Sequence, residues 1–332
     1  MDHKLKLMVV DDSPLFRTWL IRSLSADDHF QIVGYAVNAL DAQEKIPLLQ
    51  PDILTLDIEM PGMSGIDFLK QLLPVHPIPV ILVSSLNLRV FDALEAGAVD
   101  FVRKPDEANG LSKEIFLSML RSKLLVAAAS HVHLPSVPAS PQAAKKRIVS
   151  PLTAAGNPFL NRPKTSAAAS QETVIAIGAS TGGTEAILEV VKNFPENTPG
   201  VVITQHMPAG FTAMYAERLN RICKMEVREA KNGDRIRKGL MLLAPGGLQM
   251  RVVPLGNSYA VSVQEGEKVN GHRPSVDVLF DSVALHVREH AIGVLLTGMG
   301  ADGAAGLLRM RKNGAYTIGQ DKNSCVVYGM PM

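Results

Sequence analysis

At 332 residues, with 46% hydrophobic and 20% charged residues, the chain exceeds one ordinary domain and carries enough apolar material for two cores. Its 34 basic and 32 acidic side chains leave a formal charge of +2, which implies no polyanionic partner, and its two cysteines, Cys223 and Cys325, are too few for a disulfide scaffold. No apolar run reaches the roughly 18 residues of a membrane span, and the opening K-L-K-L-M-V-V meets Asp11 too soon for a secretory leader, so a soluble cytoplasmic protein is expected.

From Lys4 to Ala129, short apolar strands alternate with helical patterns: L-K-L-M-V-V, Q-I-V-G-Y-A, I-L-T-L, P-V-I-L-V and A-V-D-F-V. Such alternation predicts a parallel sheet with helices on both faces. The polar residues gather where strands end. Asp11 and Asp12 follow the first strand, Asp57 ends the third, Ser84 the fourth, and Lys104 follows the fifth. In a parallel sheet these ends share the edge where ligands bind. Three carboxylates converging there repel one another unless a hard divalent cation such as magnesium binds, and an added hydroxyl and lysine make a place to hold a phosphoryl group.

This pattern, with the loop L-D-I-E-M-P-G-M-S-G, resembles a response-regulator receiver domain. The resemblance implies Asp57 as phosphoacceptor, Asp11, Asp12, Asp57 and the backbone carbonyl of Glu59 around Mg2+, Ser84 as the switch hydroxyl and Lys104 as the contact to the phosphoryl group. After Ser84-Ser85, the stretch L-N-L-R-V-F-D-A-L is about one helical turn shorter than in such regulators, a departure that falls on the switch loop and the helix after it.

Between residues 127 and 171 the periodicity disappears. Pro135, Pro138, Pro141, Pro151, Pro158 and Pro163 interleave with Ala, Ser and Thr, the composition of a flexible linker, and Lys145-Lys146-Arg147 reads as a solvated basic run. The expected division is therefore a first domain over 1–126, a linker over 127–171 and a second domain over 172–332.

Strands resume at V-I-A-I, G-V-V-I-T, L-M-L-L-A, Y-A-V-S-V, A-I-G-V-L-L, Y-T-I-G and C-V-V-Y-G, with helices between most of them, so the second domain is also α/β. Val174 to Gly183, V-I-A-I-G-A-S-T-G-G, is a buried strand turning through glycines into a helix whose apolar stripe is Ile187, Val190, Val191 and Phe194, ended by Pro195. Ser180 stands at the tip, where a G-x-S-x-G pattern exposes a nucleophile beside the N–H groups of a helix start. Two other readings compete. A glycine turn can bind dinucleotides, but these glycines are out of register and Gln205 and His206 occupy the place of the ribose-binding acid. A serine there can also simply cap the helix.

His206 favours the nucleophile, because strand G-V-V-I-T delivers it to the same edge, where it can accept the serine proton. Asp302, in the loop G-M-G-A-D-G after strand A-I-G-V-L-L, is the candidate to orient that imidazole. His286 and His290 are expected on one face of an amphipathic helix, since H-V-R-E-H lacks the glutamate of H-E-x-x-H. No helix-turn-helix signature is present, so no nucleic-acid partner is expected.

The chain order Ser, His, Asp matches none of the common serine-hydrolase orders. Together G-A-S-T-G-G, Q-H-M-P-A-G-F-T, R-P-S-V-D-V-L-F, G-M-G-A-D-G and Q-D-K-N-S-C-V-V-Y-G-M-P resemble the catalytic domain of chemotaxis protein-glutamate methylesterases, the CheB family. The resemblance implies a flavodoxin-like receiver joined to a second doubly wound, mostly parallel sheet. It implies Ser180 as nucleophile, His206 as general base and then acid, and Asp302 orienting it, with Thr181 and the Met299 loop bordering the oxyanion site. It further implies a monomer that needs no cofactor for hydrolysis, takes its phosphoryl group from a CheA-type histidine kinase, and demethylates or deamidates chemoreceptors without entering the membrane. After Y-G-M-P such chains continue into a final helix, which this one, stopping at Met332, is expected to lack. The rival from another class is a response regulator whose second domain binds receptors without turnover.

Overall fold

The computed structural model describes residues 4–85, 89–106, 112–129 and 172–332. Most of the expected linker, with its Lys145-Lys146-Arg147 run, and part of the stretch after Ser85 lie outside the described residues.

Five strands, β1 (Leu5–Val10), β2 (Phe30–Ala36), β3 (Ile53–Leu56), β4 (Val80–Ser84) and β5 (Asp100–Arg103), form a parallel sheet in the order β2-β1-β3-β4-β5. The central strands are apolar on both faces because helices cover both: α1 (Pro14–Ser25), α2 (Ala39–Leu49), α3 (Gly65–Leu72), α4 (Arg89–Glu95) and α5 (Lys113–Ala128). Side-chain oxygens of Ser13, Asn38, Ser64 and Ser112 accept backbone N–H groups at the starts of α1, α2, α3 and α5. The winding reverses at β1, which opens a crevice between the ends of β1 and β3, and the Asp57 N–H donates to the Val10 carbonyl across it at 2.9 Å. Among the described residues α4 spans seven, and α5 continues to Ala128.

The second domain holds a six-stranded parallel sheet and a three-stranded antiparallel ribbon. The sheet comprises β6 (Val174–Ala179), β7 (Gly200–Gln205), β8 (Glu226–Glu229), β10 (Leu240–Leu243), β13 (Ala291–Leu295) and β14 (Tyr316–Gly319), in the order β14-β13-β6-β7-β10-β8. The ribbon is β11 (Gln249–Leu255), β12 (Ser258–Gln264) and β9 (Arg235–Ile236), so Y-A-V-S-V lies outside the main sheet. Helices α6 (Gly183–Val191), α7 (Phe211–Ile222), α8 (Val276–His286) and α9 (Ala304–Lys312) pack on these layers.

Two local expectations fail. C-V-V-Y-G makes no strand beyond a single bridge between Tyr328 and Gly298, because the Thr297 hydroxyl takes the Val327 N–H at 2.9 Å in place of a ladder partner. His286 and His290 do not share a helix: α8 ends at His286, and Arg288, in the left-handed region at φ 56°, starts a separate 3-10 turn that carries His290.

The two domains pack through α4, β5 and α5 of the first and α6 and α7 of the second. Phe101 meets Phe211 with ring centroids 4.5 Å apart, and Phe91 stacks on Tyr215 at 5.4 Å. Arg218, 5% exposed, bridges Glu185 of its own domain at 2.8 Å and Glu95 of the first domain at 2.9 Å.

Candidate active site

β6 is buried along its whole length, and its chain leaves the sheet through Gly182, whose φ of 75° an L side chain resists. The turn is packed tightly as well: a Cβ on Gly183 would stand 2.2 Å from the Gln205 side-chain oxygen. Ser180 is thereby fixed in backbone. Its N–H donates to the Thr297 carbonyl at 3.0 Å, and its carbonyl accepts the Gly183 N–H at 2.7 Å and the Gln205 amide at 2.8 Å. Parallel pairing aligns Ala179 with Gln205, so Ser180 and His206 are the next residues on strands about 4.8 Å apart. The His206 N–H donates back to the Ala179 carbonyl at 3.1 Å.

His206 Nε2 lies 2.7 Å from Asp302 Oδ2, while its buried Nδ1 has no hydrogen-bond partner among the described residues. Since a carboxylate only accepts, Nε2 carries the proton and Nδ1 is the basic nitrogen. Asp302, 2% exposed, sits at the start of α8. Its Oδ2 also accepts the Val276 N–H at 2.7 Å, and its Oδ1 accepts from the Ser275 hydroxyl at 2.8 Å, the Asn270 amide at 2.7 Å and the Asp277 N–H at 3.2 Å. Burial alone would raise its pKa, but these donors and the helix N-terminus hold the carboxyl well below the usual carboxylate range.

The structure places Ser180, His206 and Asp302 at one edge, with the His206–Asp302 hydrogen bond formed and none from the Ser180 hydroxyl to Nδ1. It adds residues that patterning did not single out. The His272 ring stacks on His206 with centroids 3.6 Å apart and planes 9° from parallel. Burial, with the neighbouring His206 charge, pushes the His272 pKa down to about 4. The only sequence signal for these additions was the Asn270-Gly271 dipeptide, which marks a tight turn just before α8.

A histidine held neutral in the folded state contributes stability in full above its unfolded pKa near 6.5, and loses it as pH falls from there towards 4. His272→Phe, which cannot titrate, should accordingly show a smaller fall in Tm between pH 7 and pH 5 than the parent. Equal falls would remove His272 as the source.

The pocket of the first domain is equally explicit. Asp11, Asp12 and Asp57 present carboxylate oxygens within 4.8 Å of one another, and Asp11 and Asp57 are buried. Lys104 Nζ lies 2.9 Å from Asp11 and hydrogen-bonds Asp57. Burial, only partly offset by Lys104, raises the Asp57 pKa. Burial would lower the Lys104 ammonium, but both carboxylates outweigh it and leave it raised. One ammonium against three carboxylates leaves room for two positive charges, which fits a hard, oxygen-bound divalent cation. The Ser84 hydroxyl is buried without a hydrogen-bond partner among the described residues, and the Glu59 N–H donates to Asp57 Oδ1 at 3.1 Å.

Thr181 and Met299, at the mouth beside Ser180, both meet the first domain. The Thr181 hydroxyl donates to Asp100 Oδ2 at 2.7 Å, and the other oxygen of Asp100 pairs with Lys123 Nζ at 2.6 Å. Ser122 of α5 approaches the Met299 sulfur at 3.8 Å.

Known proteins match along the whole chain. A family model described as CheB methylesterase covers residues 175–332, and one described as response regulator receiver domain covers residues 7–116. The protein-glutamate methylesterase/protein-glutamine glutaminase 2 of Syntrophomonas wolfei is 51% identical over 99% of this chain and 91% of its own length. Proteins of the same name from Syntrophotalea carbinolica and Salmonella typhimurium are 49% and 43% identical, over 100% and 99% of this chain and 91% and 90% of theirs. No helix of the described residues is long and apolar enough to cross a membrane.

Proposed function

The chain belongs to the CheB methylesterase family, and we propose that it is a phosphorylation-regulated hydrolase of chemotaxis, removing methyl groups from glutamate γ-methyl esters of chemoreceptors and deamidating receptor glutamines. The observation that carries this reading is the His206–Asp302 pair, whose Nδ1 has no partner among the described residues, with His206 at the end of the strand next to the one that leads into Ser180. Nδ1 takes the Ser180 proton as Oγ attacks the ester carbonyl, and Asp302 holds the imidazolium that forms. Backbone N–H groups near Thr181 receive the developing oxyanion. His206 then returns its proton to the departing methanol or ammonia. Water, deprotonated by the same nitrogen, releases glutamate from the acyl-serine.

Asp57 is the phosphoacceptor in this reading. Asp11, Asp12, Asp57 and the Glu59 carbonyl would hold magnesium, which supplies charge neutralisation for phosphoryl transfer. Lys104 binds the phosphoryl oxygens, and Ser84 donates its hydroxyl to them. The donor is a histidine kinase of the CheA type. In the resting arrangement Asp100 occupies the hydroxyl of Thr181 and α5 abuts Met299, so the receiver covers the edge at which substrate must enter. Phosphorylation favours a receiver state that no longer fits this face.

Methanol release from methylated receptor membranes, with and without acetyl phosphate and magnesium, tests the reading. The parent rate should rise with phosphodonor, and Asp57→Asn should keep only the basal rate. An Asp57→Asn protein that still responds would place the phosphoacceptor elsewhere.

A further inference from the structure

The segment 266–275 connects the antiparallel ribbon to α8, and it reaches over the site as a tight clip. Val269 and His272 exchange both backbone hydrogen bonds, at 3.0 and 2.9 Å, around a two-residue turn in which Asn270 and Gly271 take φ values of 53° and 81°. Gln249, 1% exposed on β11, anchors the clip from below. Its amide donates to the Glu267 and His272 carbonyls at 3.0 and 3.2 Å, and its oxygen accepts the Ser275 N–H at 2.9 Å. The clip presents two side chains to the site: His272 lies on the His206 ring, and Asn270 reaches the carboxylates.

We propose that Asn270 is a positioning residue of the reaction, acting through Asp302; this rests on the hydrolase reading above. Its NH2 group carries two protons, and both go to carboxylates: one to Asp302 Oδ1 and one to Asp277 Oδ2, each at 2.7 Å. The first bond helps to saturate Oδ1, so that Oδ2 is the oxygen left for His206 Nε2. The second joins two neighbouring carboxylates through a neutral donor. Only a residue that tolerates the left-handed backbone and also offers two protons meets both demands, and among the twenty side chains asparagine does so best. The other charged groups around this pair are Arg309 of α9, 3.6 Å from Asp277, and Lys268 and Lys123, whose charges reach His272.

Because glycine keeps the turn and removes only the amide, Asn270→Gly separates the two roles of the residue. In the full chain activated by acetyl phosphate and magnesium, it should lower kcat for methanol release about ten- to a hundredfold with KM within about twofold, as expected for a misaligned base. Its Tm should stay within about 3 °C of the parent. Asn270→Asp also tolerates the turn but sets a third carboxylate against two others. A further negative charge favours protonation in the site, so the acid limb of kcat/KM should move up by about one pH unit. The low-field proton resonance of the His206 Nε2–H, which needs no turnover, should shift in both variants.

An Asn270→Gly protein with kcat within twofold of the parent, an unshifted pH profile and an unmoved imidazole resonance would overturn the proposal. So would a loss of activity that merely follows a large fall in Tm. Ser180→Ala, run alongside, separates the two failures: release that persists in it overturns the Ser180–His206–Asp302 reading of the site and this inference with it, whereas Ser180-dependent release that Asn270→Gly leaves untouched overturns only the positioning role.

Discussion

Replacing Ser180 by alanine should lower methanol release from methylated receptor membranes by roughly 10^5-fold or more, the loss seen when a triad nucleophile is removed. Fold should be retained, because the Ser180 turn is held by backbone groups and by Gln205, none of which involves the hydroxyl. Asp302→Asn should be nearly as damaging, by about 10^3- to 10^4-fold, since an amide at that position reverses the proton demand on Nε2. Unlike the serine change, it should also cost stability. The carboxylate accepts five donors, counting His206 Nε2, Val276 and Asp277 N–H, Ser275 Oγ and Asn270 Nδ2, and an amide nitrogen there can accept none of them. A Ser180→Ala protein that keeps more than about one-hundredth of the parent rate would place the nucleophile elsewhere.

The second large effect is expected at the domain interface. Asp100→Ala should raise the rate measured without phosphodonor by roughly five- to thirtyfold, corresponding to about 1–2 kcal/mol for a buried, charge-assisted hydrogen bond. Both partners are shielded: Thr181 is 5% and Asp100 7% exposed. Glu95→Gln should do much less. Its carboxylate pairs with Arg218 while its own side chain is 68% exposed, and exposed ion pairs contribute little. Both changes lie on the receiver, so the catalytic domain is unaltered and methanol release reads the interface alone. The order matters more than either value. If Glu95→Gln activates and Asp100→Ala does not, the restraint is held by α4 and Arg218 and not by the hydroxyl beside Ser180.

Much of this geometry was legible because parallel α/β sheets put function at strand ends, and strand ends can be read from where apolar runs stop. Asp57 and Ser84 in the first sheet, and Ser180 and His206 in the second, all stand at such stops, and each sheet alone brings its own pair to an edge. What periodicity could not deliver were residues carried by loops over that edge. Asn270 and His272 reach the site through a turn whose course depends on Gln249, some twenty residues earlier in the chain and on another layer. β8 escaped notice because E-V-R-E, at the sheet border, has one fully buried side chain and three that are not. C-V-V-Y-G misled for the opposite reason: it has strand composition, but a threonine side chain replaces the ladder partner it would need.

The contact between the domains is modest, a hydroxyl held by a carboxylate, one arginine between two acids and two aromatic pairs, yet covalent connection changes what modest means. A tethered partner is present at an effective concentration of the order of millimolar. A face with an intrinsic Kd of about 0.1 mM, useless between separate proteins, would then keep the site covered roughly nine times in ten. Reversing that ratio takes a further factor of about a hundred, near 2.7 kcal/mol, which one phosphoryl group can supply. An interface made much stronger would never open, and the economy of its contacts is what leaves the enzyme within reach of its signal.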